Sequence, residues 1–334
     1  MNENSFQDRE WSNWMNTISN YVKPSPLKSW WQIINSFVPY FALWVAMVYS
    51  LDISYWLTLG LSFLAAGFLV RIFIIFHDCG HGSFFKSSRW NEIVGTITGL
   101  LVFTPYHRWH YEHQRHHQTV GNLDKRGVGD VMILTVEEYN NSTEKKQYWY
   151  RQYRNPVILL LIVPFFLFTV LFRLHGTNQT RKMHLQTHMT TITLILIITF
   201  ISFWIGFKTF VIIQLPVLLI ASIAGVFLFY VQHQFKEVQW KRSENWDYKE
   251  IAMTGSSFFR LPRILQWFSG NIGYHHIHHL GPKIPNYYLE KCHKENPIFQ
   301  KDHLTFLAAL QSTRYRLWDE QKNKLVSFKE AGVS

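Results

Sequence analysis

Four apolar runs set the frame of this chain. Trp30 to Tyr49 carries no formal charge. Ile53 to Ile75 carries only Arg71, near its end, where a long side chain can reach an interface. Thr190 to Phe207 and Phe210 to Val231 are again uncharged. Each run is close to the roughly 20 residues that cross a bilayer as a helix. The connectors within each pair are short, Ser50 to Asp52 and Lys208 to Thr209, so the pattern predicts two helical hairpins. Ile93 to Thr104 is too short to span, and Val157 to Phe172 is borderline. The expected fold class is an all-α integral membrane protein with four transmembrane helices and a helical cap.

Polar clusters follow two of the predicted helices. His77-Asp78-Cys79-Gly80-His81 follows the second run, and His275-His276-Ile277-His278-His279 lies beyond the fourth. A third cluster, His113-Gln114-Arg115-His116-His117, lies between the hairpins. For the clusters to meet, both hairpins must return to one face. Four crossings achieve this and five do not, so Ile93 to Thr104 and Val157 to Phe172 are expected to lie in the interface or to dip in and return. Lys208 is then the only one of 33 Lys and Arg on the far side, which makes the histidine face cytoplasmic.

Composition agrees. Charged residues make up 16% and aromatics 17%, low in charge for a soluble protein. The net charge of +11 is scattered between apolar segments rather than gathered in a stripe, which argues against nucleic acid. Two cysteines exclude a disulfide framework and an iron–sulfur cluster built from this chain alone. No signal peptide, internal repeat or low-complexity segment is visible.

Imidazole is the commonest side-chain metal ligand at neutral pH. His77 and His81 are four apart, and His113 and His116 are three apart, so on a helix each pair shares a face. His117 points about 100° away from His116 on a helix of 3.6 residues per turn. The same holds for His278 and His279, so adjacent histidines suit different metals. Even with His276 set aside, the eight remaining clustered histidines exceed the needs of one ion and predict a two-metal centre. His233, just past the fourth run, arrives at the same face. His107 and His110 are read as substrate-facing or supporting, and His276 as supporting. His175, His184, His188, His293 and His303 stand alone and are read as ordinary surface or core residues. A ligand set almost free of carboxylates suits zinc, copper, iron or nickel. A structural zinc stops at four ligands, so the surplus points to redox iron.

These motifs resemble those of the membrane fatty acid desaturase family. His77 to Ser83 is similar to its first histidine box. His113 to Thr119, with Gly121 to Asp124 and Gly127 to Asp130, is similar to the second. Gly270 to Leu280, with Pro282 and Ile284 to Tyr287, is similar to the third. Leu317-Trp318-Asp319-Glu320 resembles the bacterial acyl-lipid branch related to plant Δ12 desaturases. The resemblance covers Trp30 to Val326 and carries over nine metal ligands: His77, His81, His113, His116, His117, His233, His275, His278 and His279. Some acyl-CoA desaturases have an asparagine four residues before the position of His233; here Phe229 stands there, against a water-bridged tenth ligand.

The resemblance implies two iron ions, O2 as co-substrate and a double bond introduced into a lipid-linked acyl chain. It also implies a multi-pass protein of a bacterial cell membrane with a cytoplasmic site. A hydroxylase, ketolase or acetylenase would use the same ligands. A metal-handling membrane protein is the remaining alternative, and spanning cores without histidine argue against it. Tyr106, Phe103, Trp109, Trp267 and Phe268 are candidates to line an acyl tunnel or, equally, to anchor the chain at the membrane interface. No Gly-x-Gly-x-x-Gly for a dinucleotide is present, and the 29 residues before the first run are too few for a fused haem domain. Electrons are therefore expected from a separate ferredoxin, flavodoxin or cytochrome b5. Phe76 to Met189 has 13 Lys and Arg against 8 Asp and Glu, and Gln232 onward has 15 against 10. Anionic lipid headgroups and an acidic donor would both be drawn to that surface, with Lys125, Arg126, Lys241 and Arg242 nearest the motifs. The expected organisation is a cytoplasmic segment 1–29, a membrane domain 30–326 and a tail 327–334.

Overall fold

The computed structural model describes residues 13–174 and 179–333; His175 and Ser334 lie outside them. A short helix, α1 (Trp14–Ser19), precedes the first hairpin. Helix α2 (Pro26–Ser50) begins where the Ser25 hydroxyl accepts the Lys28 N–H, with Pro26 in the first turn, where a missing N–H costs nothing. Helix α3 (Tyr55–Gly80) is capped by Ser54. Helices α4 (Ser88–Leu101) and α5 (Tyr106–Thr119) follow, and then α6 (Val136–Asn140) and α7 (Glu144–Tyr153). A π-helical turn at Ile158–Ile162 leads into α8 (Val163–Thr169). The second hairpin is α9 (Arg181–Ile205) and α10 (Phe207–His233). Helices α11 (Tyr248–Thr254), α12 (Arg263–Phe268), α13 (His275–Leu280), α14 (Asn286–Glu295) and α15 (Phe306–Gln311) complete the cap.

Among the described residues, α2, α3, α9 and α10 are the four single helices long and apolar enough to cross a membrane. Helix α3 is the central one. Leu69, Ile72, Ile75 and Phe76 are buried, in a core shared with Met47 of α2 and Ile213 and Val217 of α10. Helix α9 buries least and turns most of its surface outward, to lipid. Two expectations need correction. Lys208 and Thr209 lie inside α10, and the turn falls earlier, at Gly206. Its φ of +84° suits glycine and lets the chain reverse almost without a loop. Arg71 does not reach out to an interface. It is buried, with its guanidinium 3.8 Å from the Trp267 ring centroid and a hydrogen bond to the Trp267 carbonyl.

Glu144–Tyr153 and Ile158–Arg173 are bent by 56° and together long enough to be either a broken span or a re-entrant loop. The two ends of the second piece, Ile158–Arg173, are tied to the histidine face. At one end, Arg154 donates to Gln234 Oε1 at 3.0 Å, one residue past His233. At the other, Arg173 donates to the Phe103 carbonyl at 3.0 Å, and the Leu174 carbonyl accepts from Arg108 of α5. The segment therefore leaves and returns on one side. Ser88–Leu101 is likewise a short helix packed on α3 rather than a span.

The cap also holds a three-stranded sheet that the apolar pattern did not reveal. Strand β1 (Leu134–Thr135) runs parallel to β2 (Leu317–Asp319), which pairs antiparallel with β3 (Lys324–Val326). Trp318 is almost fully buried in it. Strands this short give too little alternation to read from sequence.

Candidate metal centre

Helices α3 and α10 continue beyond their most apolar stretches, and their last turns carry His77 and His233 inward. His81 follows directly on α3. Helix α5 supplies His113, His116 and His117, and the six-residue α13 supplies His275, His278 and His279. The structure gathers these nine rings into two groups. His77, His81, His113, His117 and His278 form one; His116, His233, His275 and His279 form the other. Within each group the ligand nitrogens lie within 4.8 Å of one another. The neighbours His116 and His117 turn to different groups, as do His278 and His279.

The nitrogen spacings suit a common ion. Nε2 of His233 lies 3.1 Å from that of His116 and 2.9 Å from that of His275. Nε2 of His117 lies 3.2 Å from that of His113 and 3.0 Å from that of His278. Two nitrogens held about 2.1 Å from one ion at a right angle sit about 3 Å apart. Nε2 of His77 and of His81 are buried with no hydrogen-bond partner, a cost of about 1–3 kcal/mol each unless something binds them. Burial, and then the neighbouring imidazoles, hold His81, His113, His117, His275, His278 and His279 well below the usual histidine range. The rings are thus neutral at pH 7 and offer lone pairs rather than protons. Either group could hold a metal ion.

Acceptors behind the rings fix their tautomers. Asp130 Oδ1 accepts from Nδ1 of His116, and the Gly255 carbonyl accepts from Nδ1 of His233 at 3.1 Å. Asp78 Oδ1 faces Nδ1 of His77 at 3.1 Å, while Oδ2 accepts both the backbone N–H and the side-chain amide of Asn286, each at 2.8 Å. Gly129 is needed for the Asp130 contact: its φ is +73°, and a Cβ there would fall 2.7 Å from the Glu112 carbonyl. Asp130 and Asn286 were visible as motif residues, but only the fold shows what they hold.

His276 is not in either group; its Nε2 faces the Phe299 carbonyl at 2.9 Å. His107 faces Glu92 at 3.5 Å, and His110 stacks on Tyr106. Phe229 packs its ring against His116 and His233, with centroids 5.1 and 5.3 Å away. An apolar face thus stands where a further polar ligand would reach the four-histidine group.

An apolar cavity of about 420 Å³ opens from the two groups, within the range of small-molecule sites. His77, His113 and His275 border it, and Phe73 of α3, Phe168 of α8 and Leu218 of α10 form its walls. Trp109 lines it as expected. Tyr106, Phe103, Trp267 and Phe268 do not. Tyr106 packs over Gly95 and donates to the Cys79 carbonyl, Phe103 packs against the core around α3, Trp267 stacks under Arg71, and Phe268 packs on Phe68. Phe165, Phe168 and Phe172 of the re-entrant segment line the cavity instead.

The surface near the motifs is less basic than sequence implied. Arg242 pairs with Glu320 at 2.7–2.8 Å and with Asp124 at 2.8 Å. Arg126 pairs with Glu138, and Lys241 lies 3.9 Å from Glu250. Glu320 thus ties the end of the sheet to the loop after α10, and Arg242 is not a spare docking charge.

Comparison with known proteins points the same way. The family model described as "Fatty acid desaturase" matches residues 54–308. A Bacillus subtilis (strain 168) protein named "Fatty acid desaturase" is 44% identical over 93% of this chain and 89% of its own. The Arabidopsis thaliana "sn-2 acyl-lipid omega-3 desaturase (ferredoxin), chloroplastic" is 26% identical over 83% of this chain and 63% of its own. The Arabidopsis "Acyl-lipid omega-3 desaturase (cytochrome b5), endoplasmic reticulum" is 28% identical over 79% and 69%. Nine converging histidines beneath an apolar cavity, together with a match across most of the chain, make this protein a member of the fatty acid desaturase family.

Proposed function

We propose that this protein introduces a double bond into a membrane-lipid acyl chain, using O2, two electrons and a pair of iron ions. The observation that carries this reading is the junction of an apolar cavity with two groups of converging imidazole nitrogens. One ion would be held by His77, His81, His113, His117 and His278, and the other by His116, His233, His275 and His279. When bound, the ions supply the redox chemistry that activates O2. The reaction balances as a –CH2–CH2– unit, O2, two electrons and two protons giving –CH=CH– and two waters.

The chain's own residues bind, orient and exclude water. Each methylene buried in the cavity contributes about 0.8 kcal/mol, so an acyl chain is held without polar contacts. Asp78, Asp130 and the Gly255 carbonyl keep the imidazoles aimed. The walls keep water from the reacting carbons. The histidine face is cytoplasmic in this reading, because Lys208 alone among the cations follows a far-side turn. A separate one-electron carrier of ferredoxin, flavodoxin or cytochrome b5 type docks there.

The test is expression in a host whose lipids are saturated or simply monounsaturated, with double bonds then located by mass spectrometry. New double bonds that vanish with the His278→Ala variant are expected. Hydroxylated products, or none with a full complement of iron and donor, would sink the proposal.

A further inference from the structure

Gly225 lies in the middle of α10 on the cavity wall. In spanning helices a glycine usually serves a backbone turn or the close approach of a neighbouring helix. Backbone conformation does not supply the reason here, because Gly225 is absent from the positive-φ glycines. Close packing does not supply one either. A Cβ built there meets nothing within 4 Å, whereas at Gly95 it would collide with Tyr106 and at Gly99 with the Thr104 carbonyl. What the missing side chain leaves is space in the cavity. Ser222 and Phe229, one turn to either side on the same face, also line it.

We propose that Gly225 sets how far an acyl chain extends past the histidine groups, and so which carbon pair lies beside them. The inference rests on the acyl-chain reading of the cavity. Gly225 precedes His233 by eight residues, about 12 Å along the helix axis. An apolar tube has no polar group to fix a chain's register, so the chain stops where the wall stops it. A side chain at Gly225 would move that stop toward the histidines.

The test is binding, which needs neither metal nor electron donor. Purified protein in detergent is titrated with spin-labelled fatty acids of 12 to 18 carbons. Each excluded methylene costs about fourfold in affinity, so a Gly225→Leu side chain that excludes two lowers affinity for the longest chain about fifteen-fold and spares the shortest. Gly225→Ala should show a smaller loss of the same kind. Gly60→Leu is the control, since Gly60 on α3 is exposed and a Cβ there also meets nothing; it should leave every length unchanged. An equal effect of Gly225→Leu at all lengths, or no effect, overturns this inference alone. Wild-type protein that holds no chain of any length overturns the acyl reading of the cavity and this inference with it.

Discussion

Asp130 accepts the Nδ1–H of His116, and the opposite nitrogen of that ring points at Nε2 of His233, 3.1 Å away. A carboxylate behind a ligand histidine fixes its tautomer and raises its basicity. Asp130→Asn should therefore weaken the four-histidine group by about 10–100-fold in metal affinity and leave the five-histidine group intact. Metal analysis after dialysis would show about half the metal lost. Equal loss from both groups would show that Asp130 acts on the fold rather than on His116.

Asp78 is the corresponding support for His77, and its second oxygen depends on Asn286. Asn286→Ala keeps the backbone bond and removes the side-chain one, together with the bond that the same amide donates to Gln32 Oε1 at 3.1 Å. Hydrogen bonds to charged groups are worth about 1.5–3 kcal/mol each, so the variant should lose about that much stability, read from its denaturation midpoint in detergent. Removing the carboxylate too, in Asp78→Asn with Asn286→Ala, should recover part of the loss, because no buried charge is then left short of donors. A double variant no more stable than Asn286→Ala alone would rule this coupling out.

Much of the site was legible in the sequence. Spacing alone separates His116 from His117 and His278 from His279, because helix geometry turns adjacent side chains about 100° apart. The spans were legible because apolar runs are long and uncharged. The re-entrant segment was legible only as a borderline run. What makes it turn back is the set of distant hydrogen bonds from Arg154, Arg173 and Arg108, which no local pattern encodes. Of the five candidate tunnel aromatics only Trp109 lines the cavity, for the same reason: Trp267 and Tyr106 are placed by long-range packing. The partners of Arg242 were hidden because Glu320 is 78 residues away.

Topology gives a direct test. A cysteine replacing Lys208 should react with an impermeant reagent from outside intact cells, and one replacing Gln179 should not. Cys79 and Cys292 are both buried, so background labelling should be low. External labelling at Gln179 would mean that Ile158–Arg173 crosses, against the hydrogen bonds that hold both its ends to one face.

Acid should dismantle the metal-free centre. His81, His113, His117, His275, His278 and His279 are held well below the ordinary value of 6.5. Below that value the unfolded chain binds protons that the folded chain refuses, so stability is full above pH 6.5 and falls as the pH drops below it. The slope is about 1.4 kcal/mol per pH unit for each such histidine. Thermal unfolding of metal-free protein at pH 7.5, 6.5 and 5.5 should show a steep drop only in the last interval. A flat profile would mean that protons reach these rings without unfolding.

Reduction should depend on a docked carrier whose approach is governed by charge, though not at Arg242. Arg242 is held by Glu320 and Asp124, so Arg242→Glu should destabilise the cap rather than merely slow docking. Lys125 is exposed on the loop after α5, and Lys241 lies only 3.9 Å from Glu250 and is half-buried. Lys125→Glu is the cleaner test. It should lower the reduction rate with an acidic ferredoxin-type donor several-fold at low salt and leave metal content unchanged. The difference should shrink as salt rises, because the screening length falls from about 10 Å at 0.1 M to about 3 Å at 1 M. Wild-type reduction should slow over the same range. Rates that do not respond to salt or to Lys125→Glu would place the docking contact elsewhere, and turnover with NADH and O2 alone would remove the need for a carrier.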